Sequence, residues 1–458
     1  MKNKWLIALS AVGIHICIGS VYAWSVLTRP IMSSMGFTQK EVTWIFSIAI
    51  LFLGLSAGFL GDFVEKHGPR KSGLAAAAFF GTGMLGSALA LHLHSLALLY
   101  LFYGVIGGIG LGIGYITPVS TLVKWFPKNR GFATGLAIMG FGFAALIAGP
   151  LMQYLVANFG LVANFLFLGC VYIALISASA LYLAPPPEAW LRANGLPVAA
   201  HGGKDGAGSG PDVGPADGRA GSGGDSKARP LARLQTAAAK LADHPRLARR
   251  LPCVHAFSAK EALQTWHFYA LWWIFFLNIS CGIALLAVAS PMGQEVVGMT
   301  AAEAASMVGV IGLVNGGGRI FWSTVSDYVG RRNVYVLFFL LEAGAFYLLS
   351  STTTAFLFQV LVLLIISCYG GGFSCMPAYL SDLFSTKELS AIHGKIITAW
   401  GLAGIMGPLA LSVLYERTRS YSLTLSFFAG CFLLNLGIAL VLKWRTSSRV
   451  ILAQLRES

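Results

Sequence analysis

One arginine interrupts an apolar run: VGVIGLVNGGGRIFW carries Arg319 in a stretch with no other charge. A guanidinium at bilayer depth costs about 2.5–3.5 kcal/mol on insertion scales, so it persists where it faces a polar cavity or meets a partner. No carboxylate lies within a helical turn of it in the sequence. An anionic ligand would supply the missing charge. A planar carboxylate suits the guanidinium fork, which donates two parallel hydrogen bonds. Asn315, one turn earlier on the same helix face, could share that ligand or orient the arginine. Gly316, Gly317 and Gly318 would let another helix approach closely. The competing reading is an arginine that snorkels to the headgroups, drawn by Asp327 two turns on.

Aromatic residues form the second set. Tyr22, Trp24, Tyr115, Tyr369, Phe373 and Trp400 all fall in apolar runs. They could wall a small pocket, exclude water and offer phenol donors to a carboxylate. Trp44 is a weaker candidate near a span boundary, and ordinary packing or an interfacial belt accounts for part of any such set. His15 lies seven residues before Tyr22 and on nearly the same helix face, which makes it a candidate proton site. A satisfied, neutral buried histidine is the plainer alternative. Lys395 is a candidate second cation, against which stands a lysine snorkelling to the cytoplasmic surface. Glu342 is expected to bond to a neighbouring helix. The sequence has no hydrolase triad, zinc motif or P-loop, so it calls for no enzyme activity, metal or cofactor. Seven Cys show no disulfide or metal-ligand spacing.

The elements that must position these groups are membrane helices. The chain of 458 residues is 56% hydrophobic and 11% charged, with a mean hydropathy of +0.72. Crossing the hydrocarbon takes about 20 mostly apolar residues. Twelve runs qualify: 5–27, 43–63, 73–93, 97–121, 131–156, 161–184, 266–290, 303–325, 333–350, 354–379, 391–414 and 421–443. The first lacks a small-residue cleavage site, so no cleavable signal peptide is expected. With the N-terminus inside, only Arg29, Lys40, Arg417 and Arg419 fall in outer loops. That asymmetry places both termini in the cytoplasm, and it makes the net charge of +14 a matter of topology rather than of nucleic-acid binding. Four segments are expected: a first helical half (1–184), a cytoplasmic linker (185–263), a second half (264–443) and a tail (444–458). Within the linker, residues 202–226 are Gly-, Ser- and Asp-rich and residues 227–250 are basic. The former reads as disordered, the latter as a solvated or lipid-facing segment.

The two halves repeat each other weakly. Residues 61–71 (GDFVEKHGPRK) correspond to 323–332 (STVSDYVGRR), and 125–150 align without gaps to 383–408. Parallel half-repeats with a site between them suit an alternating-access carrier. At these residues the sequence resembles the major facilitator superfamily. The resemblance implies an all-α membrane fold of twelve transmembrane helices in two pseudo-symmetric six-helix halves. The superfamily's signature loop is matched by Gly61, Glu65, Lys66, Gly68, Arg70 and Lys71, with a second copy at Asp327, Gly330, Arg331 and Arg332. It implies a cytoplasmic gate, a latch in which an acid near one helix end pairs with cations and neighbouring helix dipoles. The spacing of Asp62 to Gly68 is wrong for that acid.

Within the superfamily, GSVYAWSV (19–26), KWFPKNRGFATGL (124–136), FYALWWIFFLNISCGI (268–283), NGGGRIFWSTVSDYVGR (315–331) and YGGGF (369–373) resemble the oxalate/formate antiporter group. That resemblance implies an anion-binding arginine at Arg319 and substrate-cage aromatics at several positions above. The group's oxalate carriers are expected to hold a lysine in the eleventh span, where this chain has Trp400. One firm cation and a bulky ring favour a monocarboxylate over oxalate. The expectation is therefore a plasma-membrane secondary transporter of a small carboxylate, exchanging it for another anion. A proton-coupled symporter and a transporter-like carboxylate sensor are the alternatives.

Overall fold

The computed structural model describes residues 2–187, 189–190 and 257–446, and among these it contains helices and no strand. The Gly-rich and basic linker segments and most of the tail lie outside the described residues.

Ten helices among the described residues are long and apolar enough to cross a membrane. Two of them, Gln39–His92 and Arg130–Tyr182, run for 54 and 53 residues, more than twice the ~20 residues that span the hydrocarbon. Each is interrupted once. Gly68 (φ 76°, ψ 171°) breaks the first and Gly160 (φ 84°, ψ 172°) the second. A side chain there would meet no atom within 4 Å, so backbone conformation, not space, calls for glycine. Each long helix is therefore two, which makes twelve long apolar helical runs among the described residues.

In chain order they are α1 (Lys4–Gly19), α2 (39–67), α3 (69–92), α4 (Leu96–Trp125), α5 (130–159), α6 (161–182), α7 (Trp266–Val297), α8 (Ala301–Val329), α9 (Arg331–Leu349), α10 (Ala355–Phe384), α11 (Leu389–Thr418) and α12 (Tyr421–Arg445). After α1 the chain tightens into a 3₁₀ turn, Ser20–Ala23, before a short helix, Ser25–Met35. The starts follow from local chemistry. Thr38 with Glu41 begins α2 and Thr300 with Glu303 begins α8, each a reciprocal capping box, while Thr265 caps α7. Gly330 (φ 90°) makes the corner between α8 and α9, as Gly68 does between α2 and α3.

Large apolar side chains cover the outside, among them Phe59, Phe356, Tyr347, Leu433 and Leu434. Such a surface would aggregate in water and is at home in lipid. Two close seams join the first six helices to the last six. A Cβ on Gly54 of α2 would sit 2.7 Å from Gly401 Cα of α11, and one on Gly142 of α5 would sit 2.7 Å from Gly316 Cα of α8. Small residues let these backbones touch, which is how helices pack where lipid offers no hydrophobic drive. Residues 257–263, expected in the linker, fold onto the second half: Phe257 N–H donates to Phe384 O and Ala259 N–H to Glu388.

Candidate functional site

Arg319 lies at the α5–α8 seam, fully buried. Its Nε donates to Asn315 Oδ1 at 3.3 Å and one terminal nitrogen to the Ile138 carbonyl at 3.4 Å. The other, Nη2, has no partner. Among the described residues no acid pairs with it at ion-pair distance, and Asp327 is engaged elsewhere. The side chain does not snorkel. Glycine makes room for it on both flanks. A Cβ on Gly142 would lie 3.2 Å from its Cδ and Nε, and one on Gly370 of α10 would lie 2.5 Å from the Asn315 carbonyl and 3.3 Å from Arg319 Cγ.

The guanidinium carbon sits 5.8 Å from the ring centre of Phe141 and 5.1 Å from that of Phe373. Cation–π attraction to these faces offsets part of the cost of the buried charge. Trp400 joins the two sides, with ring centres 4.8 Å from Phe373, 5.5 Å from Phe141 and 5.2 Å from Tyr115. Tyr22 packs edge-on to Phe141 at 5.0 Å, and Tyr369 on Phe373 at 5.2 Å. The 3₁₀ turn after α1 is what presents Tyr22 to this cluster. The hydroxyls of Tyr22, Tyr115 and Tyr369 and the indole N–H of Trp400 are buried without hydrogen-bond partners. Each such orphan costs about 1–3 kcal/mol, so a donor cluster around an unpaired cation is a strong sign of a site for an anion.

A second constellation closes one end of the bundle. Asp327, at the end of α8, accepts from the N–H groups of Gly131 and Phe132 at 2.9 and 2.8 Å, which puts a carboxylate on the N-terminus of α5. Arg331 pairs with Asp327 and, at 3.3 Å, with Asp382, which Arg130 also approaches at 3.5 Å. In the equivalent place, Glu65 of α2 accepts from Ser390 N–H at 2.8 Å, at the N-terminus of α11, and pairs with Lys124 at 3.2 Å. Each acid thus caps a helix of the opposite half.

A family model described as the Major Facilitator Superfamily matches residues 9–408 and, a second time, 271–452. The chain belongs to the major facilitator superfamily. It is 26% identical to the oxalate:formate antiporter of Oxalobacter formigenes over 416 residues, covering 89% of this chain and 84% of the relative. It is also 26% identical to monocarboxylate transporter 14 of Homo sapiens over 475 residues, covering 96% and 89%. Among solved structures it superposes on the proton:xylose symporter XylE with a TM-score of 0.69 at 14% identity, covering 96% of this chain and 95% of that one. The resemblance to the superfamily and to the oxalate/formate group therefore stands.

On this superfamily fold, Arg319, Asn315, Tyr22, Tyr115, Tyr369, Phe373 and Trp400 come together. Trp24 does not: it packs on Tyr103 at 4.3 Å. Trp44 is 43% exposed. Lys395 is no second cation of the site, because it pairs with Asp62 at 3.3 Å on the α2–α11 seam. Glu342 accepts from Asn278 Nδ2 of α7 at 3.1 and 3.3 Å. At the closed end, Glu65, Gly68, Asp327, Gly330 and Arg331 make the ion pairs and corners described. Among the described residues neither Lys66 nor Arg70 forms an ion pair. Sequence reasoning missed Phe141, His393, Gly142 and Gly370 at the site, and Lys124, Arg130 and Asp382 at the latch.

Proposed function

We propose that the chain is a secondary carrier of a small organic anion, favouring a monocarboxylate, in which Arg319 grips the carboxylate. One observation carries the reading: a fully buried guanidinium with an unpaired nitrogen and no protein acid at ion-pair distance among the described residues. Tyr22, Tyr115, Tyr369 and Trp400 supply further donors, and Phe141 and Phe373 exclude water. The cage holds one cation beside a bulky indole, with Lys395 tied to Asp62, which suits a single negative charge. Two of its relatives, an oxalate:formate antiporter and a monocarboxylate transporter, support the substrate class.

The two helical halves rock about this site. A bound carboxylate neutralises Arg319, whereas an unloaded carrier must close around a bare charge at membrane depth. That difference favours exchange over return of the unloaded carrier. The Glu65 and Asp327 latches form the cytoplasmic gate, with both termini on that side of the plasma membrane. Thermal-shift measurements against formate, acetate, pyruvate, lactate, oxalate and malonate test the reading. Monocarboxylates should stabilise the protein. Arg319→Lys, which loses the bidentate fork, should weaken them about ten- to a hundredfold, the worth of one charged hydrogen bond. Unchanged affinity in that variant would remove Arg319 from the site. Counterflow of labelled substrate in liposomes separates a carrier from a sensor.

A further inference from the structure

Behind the cage, two histidines from opposite halves meet one tyrosine. His15 of α1 and His393 of α11 are both fully buried. Their ring centres lie 5.4 and 6.0 Å from that of Tyr115, and Tyr115 in turn touches Trp400 and Phe141 of the cage. His15 Nδ1 is 3.1 Å from the Ala11 carbonyl. A carbonyl only accepts, so Nδ1 carries the proton and Nε2 presents a bare lone pair. That Nε2, both ring nitrogens of His393 and the Tyr115 hydroxyl have no hydrogen-bond partner. Two chemically unused bases beside an orphan phenol are costly to bury, and a structural role would pair them.

We propose that His15 and His393, with Tyr115 between them, form a proton-binding site whose occupancy is linked to anion binding at Arg319. The proposal rests on the Arg319 reading. Tyr115 of α4 faces both histidines and Phe141 of α5 packs on His15 at 6.3 Å, with Trp400 of α11 and Arg319 of α8 packed in turn on Phe141. Of the charged groups nearby on α11 and α2, Lys395 pairs with Asp62 and Glu65 with Lys124. Arg319 and His15 both pack on Phe141, and the unpaired charge of Arg319 disfavours a second positive charge on His15. A carboxylate on Arg319 removes that opposition, and a proton from water then binds His15 Nε2 or the His393 ring. Linkage is reciprocal, so a lower pH strengthens anion binding by the same factor. Because one histidine belongs to each half, the protonated pair also sits where the halves move against each other.

Isothermal titration calorimetry of the full chain in detergent tests this. Formate, acetate, pyruvate and lactate serve as probes at pH 6.5, in two buffers of different ionisation enthalpy. Wild-type protein should take up protons from the buffer as the anion binds, seen as a binding heat that differs between the two buffers. Its affinity should rise between pH 8 and pH 6, a comparison that needs no variant. Proton uptake should fall in His15→Gln and in His393→Gln, and should vanish in the double variant. Anion binding without proton uptake in wild type, or uptake that survives in the double variant, overturns the proposal while leaving Arg319 in place. Heat from none of the four probes would overturn the Arg319 reading, and this proposal with it.

Discussion

The two latches look equivalent, yet their geometry predicts unequal strength. Asp327 accepts two backbone N–H bonds and an ion pair, with its side chain 5% exposed. Replacing it by Asn leaves one acceptor oxygen and turns an amide N–H₂ toward the donors of α5. One charge-assisted bond to α5 is lost and the other weakened, about 2–3 kcal/mol for such a shielded group, while the Arg331 pair, within the same half, does not distinguish the two states. At 1.4 kcal/mol per tenfold, that moves the equilibrium between closed and open ends about 30- to 140-fold. Glu65 accepts a single N–H, and its Lys124 partner is 28% exposed. Gln keeps an acceptor for Ser390, so the loss is about 0.5–1 kcal/mol, or two- to fivefold. Electron–electron distance measurements read the shift directly. Spin labels at exposed Lys128→Cys and Lys387→Cys would report it, in a background lacking the seven native cysteines. Asp327→Asn should populate long distances far more than Glu65→Gln. An equal or reversed order would show that the N–H bonds to α5 do not hold this end shut.

Two further outcomes follow from packing and pairing. A Cβ on Gly317 would meet nothing within 4 Å, whereas one on Gly318 would lie 2.6 Å from the Ser367 carbonyl of α10. Gly317→Ala should be neutral or stabilise by up to about 1 kcal/mol through helix propensity, and Gly318→Ala should lower the melting temperature. Glu342→Gln keeps an acceptor for the Asn278 amide, while Glu342→Leu leaves that amide unpaired at a cost of about 1–3 kcal/mol. Thermal melting in detergent should rank wild type and Gln together, well above Leu.

The spans were legible because a membrane helix is a one-dimensional signal, about 20 apolar residues in a row. The run predicted at 333–350 is α9, Arg331–Leu349. Arg319 was legible for the converse reason, a charge where charge is costly. The aromatic cage was only partly so. Residues 22 and 24 lie about 200° apart on a regular helix, so they face opposite sides, and Trp24 turns to Tyr103. Tyr369 and Phe373, four residues apart, share a face and both reach the site. Phe141 and His393 gave no such signal, because ring and imidazole identities do not say which way a helix is rotated. Gly142 and Gly370 were hidden by the abundance of glycine, 54 residues in this chain. The latch was half visible. Lys124 and Asp382 occupy equivalent positions of the two repeats, but their opposite charges defeat a comparison by identity.

α8 carries both Arg319 and Asp327, eight residues and about 12 Å apart along one helix. Its carboxylate end holds the N–H groups of Gly131 and Phe132, and its guanidinium holds the Ile138 carbonyl and faces Phe141. All four partners lie on α5. A rigid α8 cannot release the first pair without also moving the second, so opening the latch changes what Arg319 touches. An anion that replaces the 3.4 Å bond to Ile138 with a stronger one loosens the same seam from its other end. The proposed anion site and the latch are thus two grips of α8 on α5, and weakening either should favour release of the other.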